Sequence, residues 1–293
     1  MAGTVIPGTM VAVLPLPWPF DRQYMQLALL AGVVVGACAP LIGAFLVQKR
    51  MSLMGDGIGH VAFAGVAGGL LLGVWPLGSA LVVATVGAVA LEWLRSHRQA
   101  SGDLMLALLF YTGIAGGVVL SGLAGSLNAG MLTYLFGSIL TVSPGDAGLV
   151  VALGVFIVGA VAVTWRALLA VVLDEEAARV AGLPVDALNL ALAALTALTV
   201  VAAMRVVGVL LVAALMVLPV GTAQRLASSF RSTLIWSAGV GAASAVTGLA
   251  AARIFGLAPG GSIVLVAAAA FIVATVLGAR LRPGRMVGTP LSA

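Results

Sequence analysis

One aspartate and one histidine lie four residues apart within residues 55–60. Residues four apart in a helix share a face, so the Asp56 carboxylate and the His60 imidazole would lie side by side. An ionisable side chain among membrane-spanning residues is costly unless it meets a partner, a cavity or an ion. Oxygen and nitrogen donors together suit a divalent metal such as zinc, manganese or iron(II). The segment therefore predicts a pair of metal-contacting residues.

The rest of the chain is too apolar for a water-soluble globule. Hydrophobic residues make up 62% of the 293 residues, and charged residues only 8%. Apolar stretches of about 20 residues, the length that spans a bilayer as a helix, recur along the chain. Unbroken apolar runs replace the alternation that a membrane β-barrel needs. The predicted fold class is all-α, a polytopic transmembrane helix bundle of about eight or nine spans.

Nine membrane spans follow from the hydropathy pattern. They cover residues 24–48, 60–75, 77–94, 104–124, 147–166, 186–204, 206–222, 232–252 and 261–280. The two spans that flank Arg205 are drawn as a hairpin, and a broken or re-entrant helix there is the alternative. Residues 24–280 are predicted to form one transmembrane domain, between a proline-rich interfacial segment at 1–23 and a short basic tail at 281–293. No charged region precedes an apolar run at the amino terminus, so no cleaved signal peptide is expected.

The basic residues fall unevenly on the two faces of this arrangement. With the amino terminus outside, the inner face collects Lys49, Arg50, Arg95, Arg98, Arg166, Arg179, Arg225, Arg231, Arg280, Arg282 and Arg285, and the outer face has Arg22, Arg205 and Arg253. This bias places the carboxyl terminus in the cytoplasm. The net charge of +5 is therefore interpreted as a topology feature and not as evidence of nucleic-acid binding.

The most polar block is residues 174–184, between two spans. Its acidic start suits a helix amino terminus, and Arg179 follows Glu175 by the four residues of an ion-paired helical turn. A glycine and a proline then end the predicted turn of helix. A solvated connector is one interpretation. The other is a docking surface for a soluble cytoplasmic partner, formed by Glu175, Glu176 and Arg179.

A second segment, residues 207–226, combines an apolar run with helix-breaking residues. Pro219 and Gly221 are predicted to interrupt the run. A short helix with small and basic residues would then lie on the cytoplasmic surface. An ordinary loop with a proline stop is the alternative.

The remaining polar residues receive structural interpretations. Glu92 is predicted to pair with Arg95 or Arg98, and Asp146 to cap a helix amino terminus. His97, the only other histidine, lies among basic residues and is interpreted as surface. No glycine-rich phosphate loop with a following lysine and no Ser-His-Asp set is found, so no catalytic residue is predicted. Any ATP hydrolysis must then be done by a partner chain.

Four blocks of sequence, taken in order, resemble a known family. They are residues 49–56 with His60 and Gly65, residues 134–140, residues 174–182, and residues 207–225. In these blocks the chain resembles the permease subunits of the zinc, manganese and iron type of ABC importer, over about residues 24–280. The fold that this implies is similar to that of the vitamin B12 and siderophore permeases.

The resemblance also implies partners and site residues. Two permease copies, or two related chains, would surround a central path in a bacterial plasma membrane, with cytoplasmic ATP-binding subunits beneath and an extracytoplasmic metal-binding protein delivering the ion. Asp56 and His60 would contact the transported metal, zinc or manganese foremost, and no cofactor would be bound permanently. The residues implied in ATPase coupling are Pro219, Gly221, Thr222, Ala223, Gln224 and Arg225. The other expected partner is the lipid bilayer, and no nucleic acid is expected.

Three other functions fit part of the pattern. One is an importer permease for a metal chelate or cofactor. Another is a proton-coupled secondary transporter with Asp56 and His60 as a proton relay, although such transporters usually bury more acids over several helices. The last is a purely structural membrane subunit, which the intramembrane pair disfavours.

Overall fold

The chain folds as a bundle of helices. The computed structural model describes residues 17–98, 102–125, 129–138, 140 and 142–281. The helices of this part are α1 (Gln23–Gln48), α2 (Met54–Leu71), α3 (Pro76–Arg98), α4 (Gly102–Leu123), α5 (Ala129–Phe136), α6 (Pro144–Leu173), α7 (Glu175–Val180), α8 (Val185–Met204), α9 (Val209–Leu226), α10 (Phe230–Phe255) and α11 (Pro259–Leu281). The predictions for residues 1–16 and 282–293, and for the side chains of His97 and Arg98, lie outside the described residues.

Eight of these helices are long and apolar enough to cross a membrane. They are α1, α3, α4, α6, α8, α9, α10 and α11. The helix α2 has 18 residues and is less apolar, because Asp56, His60 and several glycines belong to it. The predicted fold class, a polytopic all-α membrane protein, is confirmed.

Helices α1 and α2 lie in the interior of the bundle, as α8 does. The first, α1, packs against α6, α8, α9 and α10, and α2 packs against α3, α4, α8 and α9. Most residues of both helices are buried as a result. The helix that carries Asp56 and His60 is therefore held by neighbours along its length.

Two clusters of polar side chains mark opposite ends of the bundle, and α8 runs from one to the other. The first cluster lies where α1 and α3 end and where α7 and α8 begin, and we call this part of the bundle the Lys49 end. It consists of Lys49, Glu92, Arg95, Glu175 and Asn189. The second cluster lies where α6 begins and α8 ends, and we call this part the Arg205 end. It consists of Tyr134, Asp146 and Arg205.

Helices α1 and α10 cross with their backbones in contact. A Cβ atom added to Gly36 would lie 2.6 Å from the carbonyl oxygen of Gly241, and one added to Gly241 would collide with the carbonyl oxygen of Gly36. Small residues permit this approach, which drives helix association in lipid through packing. The crossing brings α10 onto the helix that leads into the Lys49 end.

Replacing Gly241 by alanine should therefore destabilise the protein. The added methyl group has to push two backbones apart, which costs about 1–3 kcal/mol for overpacking. Gly239→Ala is the matched control, because Gly239 lies on the same helix with open space around it. The free energy of unfolding, measured by detergent titration of the purified protein, should fall only for Gly241→Ala. Equal stability of the two variants would contradict the assignment of this contact.

The two helix boundaries that differ most from the predicted spans are the start of α2 and the end of α6. The helix α2 begins at Met54, not at residue 60, because the polar pair lowers its hydropathy without ending the helix. The helix α6 continues to Leu173, beyond the predicted end at 166. The side chain of Arg166 does not stop α6, because its guanidinium lies at the exposed surface, 5.4 Å from the ring of Trp165.

The predicted break in residues 207–226 is wrong. The helix α9 is continuous from Val209 to Leu226 and includes Pro219. Proline is tolerated in membrane helices, where packed neighbours support the freed backbone groups. Gly221 serves close packing, since a Cβ atom there would lie 2.9 Å from the ring of Phe271 in α11. The residues that were predicted to form a separate short helix at the cytoplasmic surface are thus the carboxyl-terminal part of α9.

The turn between α1 and α2 is short and tightly closed. Arg50 adopts a left-handed conformation with φ of 61°, a position that favours glycine. The amide of Arg50 donates to Val47 at 3.1 Å, and the amide of Met51 donates to Leu46 at 2.8 Å. Met51 is buried. The end of α1 is therefore fixed to the start of α2 without a loose linker.

Candidate functional site

Asp56 and His60 lie on the first two turns of α2 and on one face of it. Asp56 Oδ1 is 4.0 Å from His60 Nε2, and the two side chains are 28% and 14% exposed. This separation is too long for a hydrogen bond. It leaves an oxygen and a nitrogen donor side by side, as the spacing of the two residues predicted.

The three glycines next to Asp56 and His60 do not loosen α2. Gly55 packs against the sulfur of Met216, Gly57 against Leu109, and Gly59 against Val209. All three are buried, and α2 is regular through them. Their function is to bring α4 and α9 close to the helix that carries the polar pair.

Asp56 opens onto a cavity of about 360 Å³ between the start of α2 and α4. The lining residues are Leu53, Asp56, Leu106, Ala107, Phe110 and Tyr111. Asp56 supplies the negative charge of this lining. A cation that entered the cavity would therefore meet the carboxylate, with the imidazole of His60 one turn away.

The pair alone is an incomplete metal site. Within the described ranges, no group of three or more His, Cys, Asp or Glu side chains is placed to hold a metal ion. Zinc sites in proteins usually have four ligands, of which three or four come from the protein. One chain offers Asp56 and His60 as two donors, so further ligands have to be water or another chain.

The residues predicted to couple to an ATPase form the last two turns of α9. Pro219, Thr222 and Ala223 are buried, whereas Gln224 and Arg225 are exposed. Beside them lies a cavity of about 420 Å³, lined by Val47, Val217, Leu218, Gly221, Gln224, Arg225 and Phe271. Only the exposed members of the predicted set are available to a partner, and the buried ones hold the end of α9 in place.

The predicted docking residues lie on α7, with different surroundings. Asp174 caps the helix, and its side chain accepts from the amides of Glu176 and Ala177. Arg179 pairs with Asp186 at 3.0 Å and not with Glu175, because Glu175 points into the Lys49 end. The side chain of Glu176 is exposed. Of the three predicted docking residues, Glu175 therefore serves the fold through its ion pairs.

The Lys49 end is a buried ion cluster that the sequence indicated only in part. Glu92 Oε1 is 2.6 Å from Arg95 Nη2, as predicted, and 3.8 Å from Lys49 Nζ. Lys49 Nζ is also 3.1 Å from Glu175 Oε1 and donates to Asn189 Oδ1 at 2.7 Å. Burial lowers the pKa of Lys49, although Glu92 and Glu175 counteract this. The cluster joins α1, α3, α7 and α8.

Acid should weaken this cluster through Glu175. Burial alone would raise the pKa of Glu175, but the charges and hydrogen bonds of Lys49 and Arg95 outweigh it and hold the pKa below its ordinary value of 4.5. A carboxylate with a lowered pKa contributes stability that is present above about pH 4.5 and is lost as the pH falls further. Glu175→Gln should therefore flatten the loss of thermal stability in acid. Melting curves recorded across this pH range check the expectation, and an unchanged acid dependence in the variant would refute it.

The comparisons with known proteins agree with the resemblance. Residues 21–278 match the model of the ABC 3 transport family. The chain belongs to the ABC 3 transport family. The high-affinity zinc uptake system membrane protein ZnuB of Haemophilus influenzae is 32% identical over 255 residues, which cover 87% of this chain and 97% of ZnuB. The manganese transport system membrane protein MntC of Halalkalibacterium halodurans is 32% identical over 253 residues, which cover 86% of each chain.

A solved structure shows the same architecture for this ABC 3 family chain. The structure of PsaBC from Streptococcus pneumoniae in complex with Fab is similar with a TM-score of 0.78 and 32% identity, over 87% of this chain and 91% of the other. The chain is therefore a multi-pass membrane subunit of a transport system.

The Arg205 end of the ABC 3 family chain holds an ion pair that was not predicted. Asp146 caps α6 with Ser143, as expected, and its Oδ2 is also 2.9 Å from Arg205 Nη2. The guanidinium of Arg205 lies 4.7 Å from the ring centre of Tyr134 in α5, a helix too short for the hydropathy pattern to indicate. The carbonyl of Arg205 accepts from the amide of Ser138. The pair thus ties α5 and α6 to the connection between α8 and α9.

Proposed function

We propose that this chain is the membrane-spanning permease of an ABC importer that carries a divalent metal ion, zinc or manganese, into the cell. The observation that carries the proposal is the Asp56 and His60 pair, with Asp56 in the lining of an open cavity between α2 and α4. Relatives named as zinc and manganese transport proteins support the class of cargo. Carboxylate and imidazole ligands suit both ions.

Two copies of the chain would complete the metal contact. Each copy contributes one carboxylate and one imidazole, so a pair of chains, or this chain with a related one, supplies four donors. The partial exposure of Asp56 leaves its carboxylate accessible from outside its own bundle. A site of this kind holds the ion for passage and not for storage, since conduction requires that the ion can leave again.

The driving force would come from partner chains. We assign the Lys49 end to the cytoplasm and the Arg205 end to the outside, because basic residues are concentrated at the former. A cytoplasmic ATPase would then contact Gln224 and Arg225 at the end of α9, with Glu176 of α7 as a second contact on the same side. A metal-binding protein outside would deliver the ion at the Arg205 end. ATP binding would move α9 and switch access from outside to inside.

The test is the metal content of cells. Zinc, manganese and iron are measured by elemental mass spectrometry in cells that lack the gene and in cells restored with wild-type, His60→Ala or His97→Ala protein. One metal should fall on deletion and return with the wild type and with His97→Ala, but not with His60→Ala. If no metal changes, the ionic cargo is wrong, and a chelate or cofactor becomes the leading candidate.

A further inference from the structure

We propose that Phe110 of α4 is the positioning residue for His60 and orients the imidazole through a ring contact. The inference rests on the proposed function, in which His60 contacts the transported metal. Nothing in the composition or the spacing of the polar pair indicated a residue for this task. The contact comes from the packing of α4 against α2.

The ring of Phe110 meets the ring of His60 edge to face. The ring centres are 4.6 Å apart and the planes are inclined by 75°. This is a preferred geometry for aromatic pairs, whose electrostatic term adds to the burial of their surface. The contact leaves Nε2 as the nitrogen that lies near Asp56.

Among the described residues, no hydrogen bond of a His60 ring nitrogen is found; its ring contact is with Phe110, and Asp56 Oδ1 lies 4.0 Å from its Nε2. A metal-binding histidine in proteins nearly always has a neighbouring group that sets the orientation of the ring, usually a hydrogen-bond partner of its other nitrogen. The ring of Phe110 is the neighbour that can limit this orientation here.

A close approach of the α4 backbone to α2 allows this contact. A Cβ atom added to Gly113 would lie 2.7 Å from the amide nitrogen of Val61 and 2.9 Å from the carbonyl carbon of His60. The absence of a side chain at Gly113 lets α4 touch α2 at His60 itself. Phe110 lies three residues earlier on α4, on the same face, so the close approach presses its ring onto the imidazole.

The consequence is an imidazole whose direction is limited by its aromatic neighbour. In this arrangement the ring of Phe110 limits rotation of the His60 ring about χ2. The His60 imidazole is therefore already in its binding orientation, so less conformational entropy is lost when the ion binds. Removing the ring of Phe110 should weaken metal contact even though Phe110 offers no ligand atom.

The first measurement is the binding of Co²⁺ to the full-length permease in lipid nanodiscs, followed by its visible absorption. Phe110→Leu keeps an apolar side chain and removes the ring, and it should weaken Co²⁺ binding about tenfold, the lower range for loss of a ligand-orienting contact. Phe110→Tyr keeps the ring and should restore most of the affinity. Equal affinity of wild type and Phe110→Leu would overturn the proposal.

The second measurement needs no metal. With His97→Gln as the background, His60 is the only histidine, so isotope-labelled histidine gives its ring signals alone in an NMR spectrum. These signals should carry a ring-current shift from Phe110 that disappears in Phe110→Leu and persists in Phe110→Tyr. If the His60→Ala variant binds Co²⁺ as tightly as the wild type, the proposed metal site is wrong. The NMR spectra would still decide whether Phe110 orients His60. Unchanged His60 shifts in Phe110→Leu would refute the positioning role.

Discussion

Asp56→Asn is expected to reduce metal uptake to the level of cells without the gene, while the protein remains folded. The substitution keeps the size of the side chain and removes the negative charge that the cavity offers to a cation. Asp56 is partly exposed and has no hydrogen bond to His60, so its loss costs little folding energy. In a pair of chains, one substitution would remove two of the four proposed ligands.

Uptake of radioactive manganese or zinc by cells measures this effect. Asp21→Asn is the matched control, since Asp21 is an exposed aspartate before α1 that pairs with its neighbour Arg22 at 3.5 Å. The control should transport normally. Normal uptake by Asp56→Asn, at wild-type amounts in the membrane, would exclude Asp56 from the metal path.

Glu92→Ala is expected to destabilise the protein strongly. The Glu92 side chain is 3% exposed and lies against both Arg95 and Lys49. Its removal leaves two buried or partly buried cations with Glu175 as the remaining carboxylate. Breaking a buried pair by removing one partner typically costs about 3–5 kcal/mol, because an uncompensated charge is left behind.

The free energy of unfolding in detergent checks this expectation. Glu176→Ala is the control, because Glu176 is an exposed glutamate on α7, the helix that also carries Glu175. Its stability should stay within about 0.5 kcal/mol of the wild type, as for most surface substitutions. A similar small change in Glu92→Ala would mean that the cluster at the Lys49 end adds nothing net to stability.

Local patterns in the sequence predicted the features that depend on neighbouring residues. The apolar runs gave the membrane helices, and the spacing of Asp56 and His60 gave their common face. The cap at Asp146 and the pair of Glu92 with Arg95 were predicted because both lie within one helical turn.

Contacts between distant helices were not predictable in the same way. Lys49 meets Asn189 across 140 residues of sequence, and no local pattern indicates such a partner. Glu175 was assigned to Arg179 by spacing, but the cations of two other helices compete for it in the fold. Pro219 was read as a break, although tertiary packing keeps its helix continuous.

The closed turn at Arg50 gives Asp56 and His60 a short mechanical connection to the ion cluster at the Lys49 end. Lys49 is anchored in the ion cluster, and the chain reaches Asp56 seven residues later through a turn that contains the buried Met51. Because this connection is so short, we expect α1 and α2 to move together about the turn at Arg50. In the proposed importer, a force applied at the Lys49 end would therefore displace Asp56 and would not be absorbed by a loop.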